Sequence, residues 1–375
     1  MSGEYTPEVV ADLHRMVAGS LARWGLPPDT GITLLNLSEN ATFALGGPGR
    51  EGADGARLGE GRRGAREAQG GAGQGGERSG EDRRGARELV LRVHRIGYSS
   101  AEEIRAELAW IEALRRDGVI ETATPLPGVD GELVHTLESP SGRSPRYAVA
   151  FERLPGREPD AGAEAPRWFE RLGELTARMH AHSKSWSLPA GFRRKRWDMD
   201  AMVGEGGHWG PWRAAIGLDG AGTAVLEEAL PVIRERLERF GMGSERFGLV
   251  HADLRLANLL AHEAHLRIID FDDCGFSWFM YDFAAAVSFI EHEAVVPHLL
   301  RAWVAGYRKV APLSEEERRE IPTFVVLRRI LLTAWLASHA EVPFARQVGA
   351  AYTAGTVALA QQFLRGRFLD SAFTN

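Results

Sequence analysis

Cysteine is almost missing from this chain. Cys274 is the single one among 375 residues. That excludes an internal disulfide framework and makes a reducing, cytoplasmic setting the expectation. Cys274 itself reads as a small buried residue. No apolar run reaches the ~18 residues that a membrane span needs. Residues 1–7 show neither a basic region nor an apolar one, so no secretory leader is expected. Positive charge is not in excess either: the net charge is -6, which argues against a general nucleic-acid binder. No GxxxxGK[ST] occurs, so a P-loop is excluded, and no internal repeat is visible. What remains is a chain with 44% hydrophobic residues, enough for ordinary cores and long enough for two lobes.

One stretch organises the rest. Residues 249–273 hold two apolar runs, 258–261 and 266–269, on either side of His262-Glu263-Ala264-His265. This is the pattern of a short hairpin with buried strands. Asp253 and Asn258 lie just before the first strand, and Asp270 closes the second. A hairpin returns its end to its start, so the three side chains are expected in one place. An asparagine and an aspartate there suit Mg²⁺, which prefers hard oxygen ligands and keeps some waters. Asp253, five residues before Asn258, is placed to accept or orient a hydroxyl proton. The spacing H-x-D-x-x-x-x-N followed by D-F-D is that of a kinase-like phosphoryl-transfer site.

Taken in order, the chain opens with Thr6-Pro7-Glu8, a capping hydroxyl before a first-turn proline. Val10, Leu13, Val17, Leu21 and Trp24 follow at helical spacing. Residues 32–37 and 41–45 read as strands around Ser38-Glu39-Asn40. That turn would lie over nucleotide phosphates in a kinase-like fold, but it lacks a glycine-rich pattern. Residues 46–88 differ in kind: fifteen are glycine, and Leu58 is the only large apolar side chain. Such a segment buries too little apolar surface to offset its entropy and reads as a disordered insertion within a hairpin. Residues 89–95 form a strand that carries Arg92. Ser100 and Glu103 are spaced as a capping box for the next helix. On its buried face, between Ile104 and Ile111, stands Glu107, which needs a partner. Arg92 is the natural one, giving the strand–helix ion pair that positions nucleotide phosphates in kinases. A strand over 147–154 precedes the break at Pro155-Gly156. Phe151 to Leu154 reads as a hinge whose backbone meets adenine.

A helix over 166–182 follows, with His180 and His182 read as structural. Trp186, Trp197, Trp209 and Trp212, beside the basic run 193–196, read as packing for a loop-rich subdomain. Asp282 opens an apolar helix and either caps it or braces the catalytic loop. Glu291 and Glu293 read as a solvated helix end, with contact to a substrate amine as the second reading. Further helices are expected over 294–310, 314–340 and 345–366.

The stretches Leu37-Ser38-Glu39-Asn40, Val90-Leu91-Arg92, Arg105-Ala106-Glu107-Leu108, Ala177-Arg178-Met179-His180, His251-Ala252-Asp253 with Asn258, and Ile269-Asp270-Phe271-Asp272 together resemble one group. It is the superfamily of aminoglycoside phosphotransferases, choline kinases and type II homoserine kinases. The A-R-M-H helix end, the D-F-D and the absence of an A-P-E segment set the chain apart from protein kinases. The resemblance covers nearly everything except 46–88.

It implies an α+β, bilobal, protein-kinase-like fold. An antiparallel sheet with a helix would form residues 1–155, and a mainly helical lobe 156–375, with ATP and Mg²⁺ between them. It implies Asp253 as catalytic base, Asn258 and Asp270 as metal ligands, Glu107 as ion-pair partner, Asp282 as brace and His251 as a holder of the loop. Two departures matter. Arg92 stands where many relatives have lysine. Leu256-Ala257 replaces a common Pro-Gly, which brings Arg255 within reach of the transferring phosphate. The expected nucleotide contacts are Arg92, Glu107, Asn40, Phe151 and Leu154, and the expected catalytic pair is Asp253 and Arg255. The expected activity is transfer of the γ-phosphate of ATP to a hydroxyl of a small molecule. An amino alcohol or hydroxy amino acid is favoured over an aminoglycoside. A nucleotide-binding pseudokinase is the alternative. No nucleic acid or membrane partner is expected.

Overall fold

In the structure, a computed structural model that describes residues 5–37, 40–48 and 88–373, the first helix begins where its cap stands. Thr6 Oγ1 accepts from Val9 N, and α1 (Pro7–Ser20) buries Val9, Leu13, Met16 and Val17. Gly25, at φ 68°, ends the following 3-10 turn in the left-handed region that glycine enters without cost. Ser38 and Glu39, and residues 49–87 of the glycine-rich insertion, lie outside the described residues.

The chain divides into two compact units. Thr6–Arg95 with Leu126–Arg153 make the smaller. Its sheet holds β1 (Thr30–Leu37), β2 (Asn40–Pro48), β3 (Leu89–His94), β5 (His135–Leu137) and β6 (Arg146–Glu152), the chain re-entering through β4 (Pro125–Leu126). The antiparallel order runs β1-β2-β3-β6, with β5 also bonded to β6. Alternation decides which face is buried: Ala41, Phe43 and Leu45 on β2 and Leu91 and Val93 on β3 are core residues. α1 packs on this sheet, where His14 meets the Phe43 ring edge-on at 5.0 Å.

Ile96–Pro125 with Leu154–Asn375 make the larger unit. It holds α2 (Ala101–Arg116), whose capping box pairs Ser100 and Glu103 as expected. α2 therefore groups with the C-terminal residues and not with the sheet, which differs from a simple boundary at 155. The reason lies in what it touches: Trp110 meets the Phe271 ring at 5.5 Å, and the Glu103 carbonyl accepts from Arg194 Nη1 at 2.9 Å. Then come α3 (Ala165–Ser185), β7 (Lys195–Arg196), α4 (Met199–Val203), α5 (Gly220–Phe240), β8 (Phe247–Val250), β9 (Leu259–His262), β10 (His265–Ile268) and β11 (Gly275–Trp278). α6 (Tyr281–Ala286), α7 (Val296–Arg308), α8 (Glu315–Ser338) and α9 (Pro343–Leu364) complete it.

β9 and β10 form the expected hairpin, with His265 opposite His262. β11 lies between β8, antiparallel, and β7, parallel. α8 is long and apolar enough to cross a membrane, but its apolar stretch is 89% buried within the protein. It is a core helix, and it carries Arg328 and Arg329 with only 2% of each exposed.

Candidate active site

The loop after β8 is held before it reaches Asp253. Val250 and His251 are buried. Ala252 takes φ 65°, a left-handed conformation that costs a residue with a Cβ roughly 1–2 kcal/mol. Asp282, fully buried on α6, answers that cost: its Oδ1 accepts from Ala252 N at 2.7 Å and its Oδ2 from His251 N at 3.3 Å. Asp282 therefore braces the loop and does not cap its own helix. His180 Nε2 bonds Asp282 Oδ2 at 3.0 Å, and His180 Nδ1 pairs with the Tyr307 hydroxyl at 3.1 Å. His180 is thus structural, as read. His251 Nε2 donates to the Ile269 carbonyl at 3.1 Å, and its Nδ1 accepts from Asp253 N at 3.2 Å. Both ring nitrogens are used in tying the loop to the end of the hairpin.

Asp253 sits at the centre. Its Oδ2 accepts from Asn258 Nδ2 at 2.6 Å and Arg255 Nε at 3.2 Å, and its Oδ1 from Arg328 Nη2 at 2.7 Å. The side chain is 15% exposed. Burial works to raise its pKa, but the charges of Arg255 and Arg328 outweigh it and hold the carboxyl below its ordinary value. Asp253 is therefore a carboxylate at neutral pH.

Asn258 is 4% exposed. Its Nδ2 also donates to the Asp253 carbonyl at 2.8 Å, so the amide nitrogen is committed and Oδ1 is the side-chain atom left for a ligand. The Asn258 carbonyl accepts from Ile269 N at 2.9 Å, which brings the neighbour of Asp270 against it. Asp270 is exposed and takes φ 62°. An amide oxygen and an exposed carboxylate at adjoining strand ends fit a hard divalent cation that completes its shell with water and phosphate oxygens. Among the described residues, no group of three or more His, Cys, Asp or Glu forms a metal cage, so a cation here depends on such outside oxygens.

The expected nucleotide residues divide between the units. In the sheet unit, Arg92 is buried and lies 5.2 Å from the Phe151 ring centre. Asn40 is buried too, and its Oδ1 accepts from Arg95 N at 3.3 Å. In the helical unit, Glu107 is fully buried on α2 and Leu154 is half-buried where that unit resumes.

One reading of the sequence needs correction, and one residue escapes it. Glu291 is neither solvated nor placed for a substrate amine: it is 2% exposed, and Arg329 Nη1 and the Tyr352 hydroxyl bind its two oxygens. Arg328 was not singled out at all. No motif marks it, and the available signal is only that two consecutive arginines interrupt a run otherwise suited to a buried helix, where each must find a partner.

A model of the phosphotransferase enzyme family matches residues 77–318. Amicoumacin kinase of Bacillus subtilis (strain 168) is 28% identical over 254 residues, covering 65% of this chain and 72% of that protein. The solved structure of a microcompartment-associated aminopropanol kinase is 36% identical, with a TM-score of 0.78, covering 95% of this chain and 99% of that one. An amicoumacin kinase in complex with AMP-PNP, Ca²⁺ and Ami superposes with a TM-score of 0.67 at 20% identity over 94% of this chain and 96% of that one, which speaks for the fold. The loop around Asp253 thus lies inside a match that takes in well over half of the chain, and the protein belongs to the phosphotransferase enzyme family as a small-molecule kinase.

Proposed function

We propose that the protein transfers the γ-phosphate of ATP to the hydroxyl of a small amino alcohol, with Mg²⁺ as cofactor. The observation that carries the reaction is the Asp253 carboxylate, fixed by three donors at the end of a braced loop. The aminopropanol kinase, alike over nearly its whole length, supports the acceptor class. In this reading the acceptor hydroxyl donates to Asp253, and its oxygen attacks the γ-phosphorus as the proton passes to the carboxylate. The bond from that phosphorus to the β–γ bridging oxygen breaks, and ADP leaves. Alignment and charge supply most of the rate in such a transfer.

Asn258 Oδ1 and Asp270 would hold Mg²⁺, which when bound would neutralise triphosphate charge. Arg255, 30% exposed and bonded to Asp253, would add positive charge beside the transferring group. Arg92, Glu107, Asn40, Phe151 and Leu154 are the proposed nucleotide contacts.

The test is an ADP-release screen with Mg-ATP against 1-amino-2-propanol, ethanolamine, choline, homoserine, aminoglycosides and macrolides. The highest kcat/KM is expected among the first three. Turnover confined to aminoglycosides would overturn the acceptor class. Asp253→Asn should lower kcat by roughly 100- to 10,000-fold, the usual contribution of a positioned base, while AMP-PNP still binds. Wild-type turnover in that variant would remove Asp253 from the role.

A further inference from the structure

Asp282 fixes the backbone of the catalytic loop, but a backbone clamp does not choose the rotamer of the Asp253 side chain, which has its own χ1 and χ2 wells. Three donors make that choice. Arg255 and Asn258 ride on the same loop and move with it. Arg328 comes from the middle of α8 and is 2% exposed. It is also held along its whole edge. Nη1 donates to the Tyr281 hydroxyl at 3.0 Å, Nε to Ser288 Oγ at 3.3 Å and Nη2 to Asp253 Oδ1 at 2.7 Å. The guanidinium lies 5.4 Å from the Trp209 ring centre and 5.7 Å from that of Tyr281. A planar fork anchored at three nitrogens cannot swing.

Tyr281 opens α6, the helix that bears Asp282, and Ser288 follows its end. One short helix therefore sets the loop twice: its backbone directly through Asp282, and its carboxylate through Arg328. The remaining capacity of Asp253 is unequal. Each carboxylate oxygen has about two lone-pair sites. Oδ2 accepts from both Arg255 and Asn258, whereas Oδ1 accepts from Arg328.

We infer that Arg328 is the positioning residue of the catalytic base, presenting Asp253 Oδ1 to the acceptor hydroxyl; this rests on the kinase reading above. Arg328 touches neither acceptor nor nucleotide in this account. It decides which oxygen takes the proton and in what direction. A lysine would keep the charge but lose the fork, binding one or two of the three acceptors.

The test uses the full chain with Mg-ATP and 1-amino-2-propanol. Three proteins are compared with wild type: Arg328→Lys, the double variant Tyr281→Phe with Ser288→Ala, and Asp253→Asn. AMP-PNP titration gives the binding-competent fraction of each. Arg328→Lys should lower kcat per competent molecule by roughly 100-fold, the size of effect that about 1 Å of misplacement produces, with KM for ATP unchanged. The double variant keeps Arg328 and Asp253 and removes two holders, so its kcat should fall by less, again with KM for ATP unchanged. It also carries the test if Arg328→Lys fails to fold. A smaller competent fraction with wild-type kcat per competent molecule would make Arg328 merely structural and overturn the inference. Wild-type kcat in Arg328→Lys alongside an inactive Asp253→Asn would overturn it while sparing the base. An active Asp253→Asn would sink the base reading, and this inference with it.

Discussion

At the scale of single residues, the site shows how buried charge is made tolerable. An unpaired buried carboxylate or guanidinium is expensive, and here each has several partners: Asp253 has three, Asp282 binds two N–H groups and a histidine, and Glu291 pairs with Arg329 and Tyr352. Backbone strain gathers at the same place. Ala252 and Asp270 both take positive φ without being glycine, the kind of conformation that functional sites retain because their surroundings enforce it. Cys274 follows the motif directly and illustrates the opposite case. It is fully buried, and burial pushes its thiol pKa up to about 12. Since the thiolate is the nucleophile, almost none exists at neutral pH. The native protein should therefore take up no iodoacetamide over the time in which the denatured chain takes up one equivalent, read by intact mass. Alkylation of native protein at the rate of a small free thiol would show that the segment after Asp270 opens readily.

At the scale of elements, α3 and α7 approach closely because each offers a glycine. A Cβ on Gly173 would run into the Trp303 carbonyl, and one on Gly306 into the Glu170 carbonyl. Backbone atoms of a packed helix have little room to retreat, and overpacking of this kind typically costs about 1–3 kcal/mol. Gly173→Ala and Gly306→Ala should each lower the denaturation midpoint accordingly. Gly19→Ala, on α1 with nothing within 4 Å of the added methyl, should raise it, through a gain in stability of up to about 1 kcal/mol. A neutral Gly173→Ala would mean the helices do not meet there. Which elements the sequence discloses follows similar physics. α1, α2 and α8 announce themselves through local caps, Thr6, the Ser100–Glu103 box and a second box at Ser314–Glu317. The 21-residue α5 lacks such legible signals in its interior. Its first turn holds Gly220 and Gly222, and Pro231 stands in the middle, two signals that ordinarily stop a helix. Leu226, Ala229, Ile233 and Leu237 still keep its buried stripe.

At the scale of the whole molecule, the kinase-like fold and the β9–β10 hairpin were legible because both rest on contiguous signals: the D-x-x-x-x-N loop, the two apolar runs and the terminal Asp270. Arg328 was not, because its partner lies 75 residues away and only the fold joins them. The assignment of α2 to the larger unit escaped for the same reason, since Trp110 and Phe271 are far apart in sequence. A cation shared by Asn258 and Asp270, as proposed, would have a consequence for the stability of the whole chain. A ligand that binds only the folded state stabilises it by about 2.7 kcal/mol when present at 100 times its Kd. Mg²⁺ with AMP-PNP at that excess should therefore raise Tm by a few degrees. If the cation is held by Asn258 Oδ1 and Asp270 and shared with phosphate oxygens, EDTA should remove most of that rise. Asp270→Asn trades a charged ligand for a neutral one, so it should need a higher Mg²⁺ concentration for the same shift. Asp253→Asn, outside the donor pair, should keep the wild-type magnesium dependence. An Asp270→Asn protein whose shift follows magnesium as the wild type does would take Asp270 out of the metal set, whatever its effect on turnover.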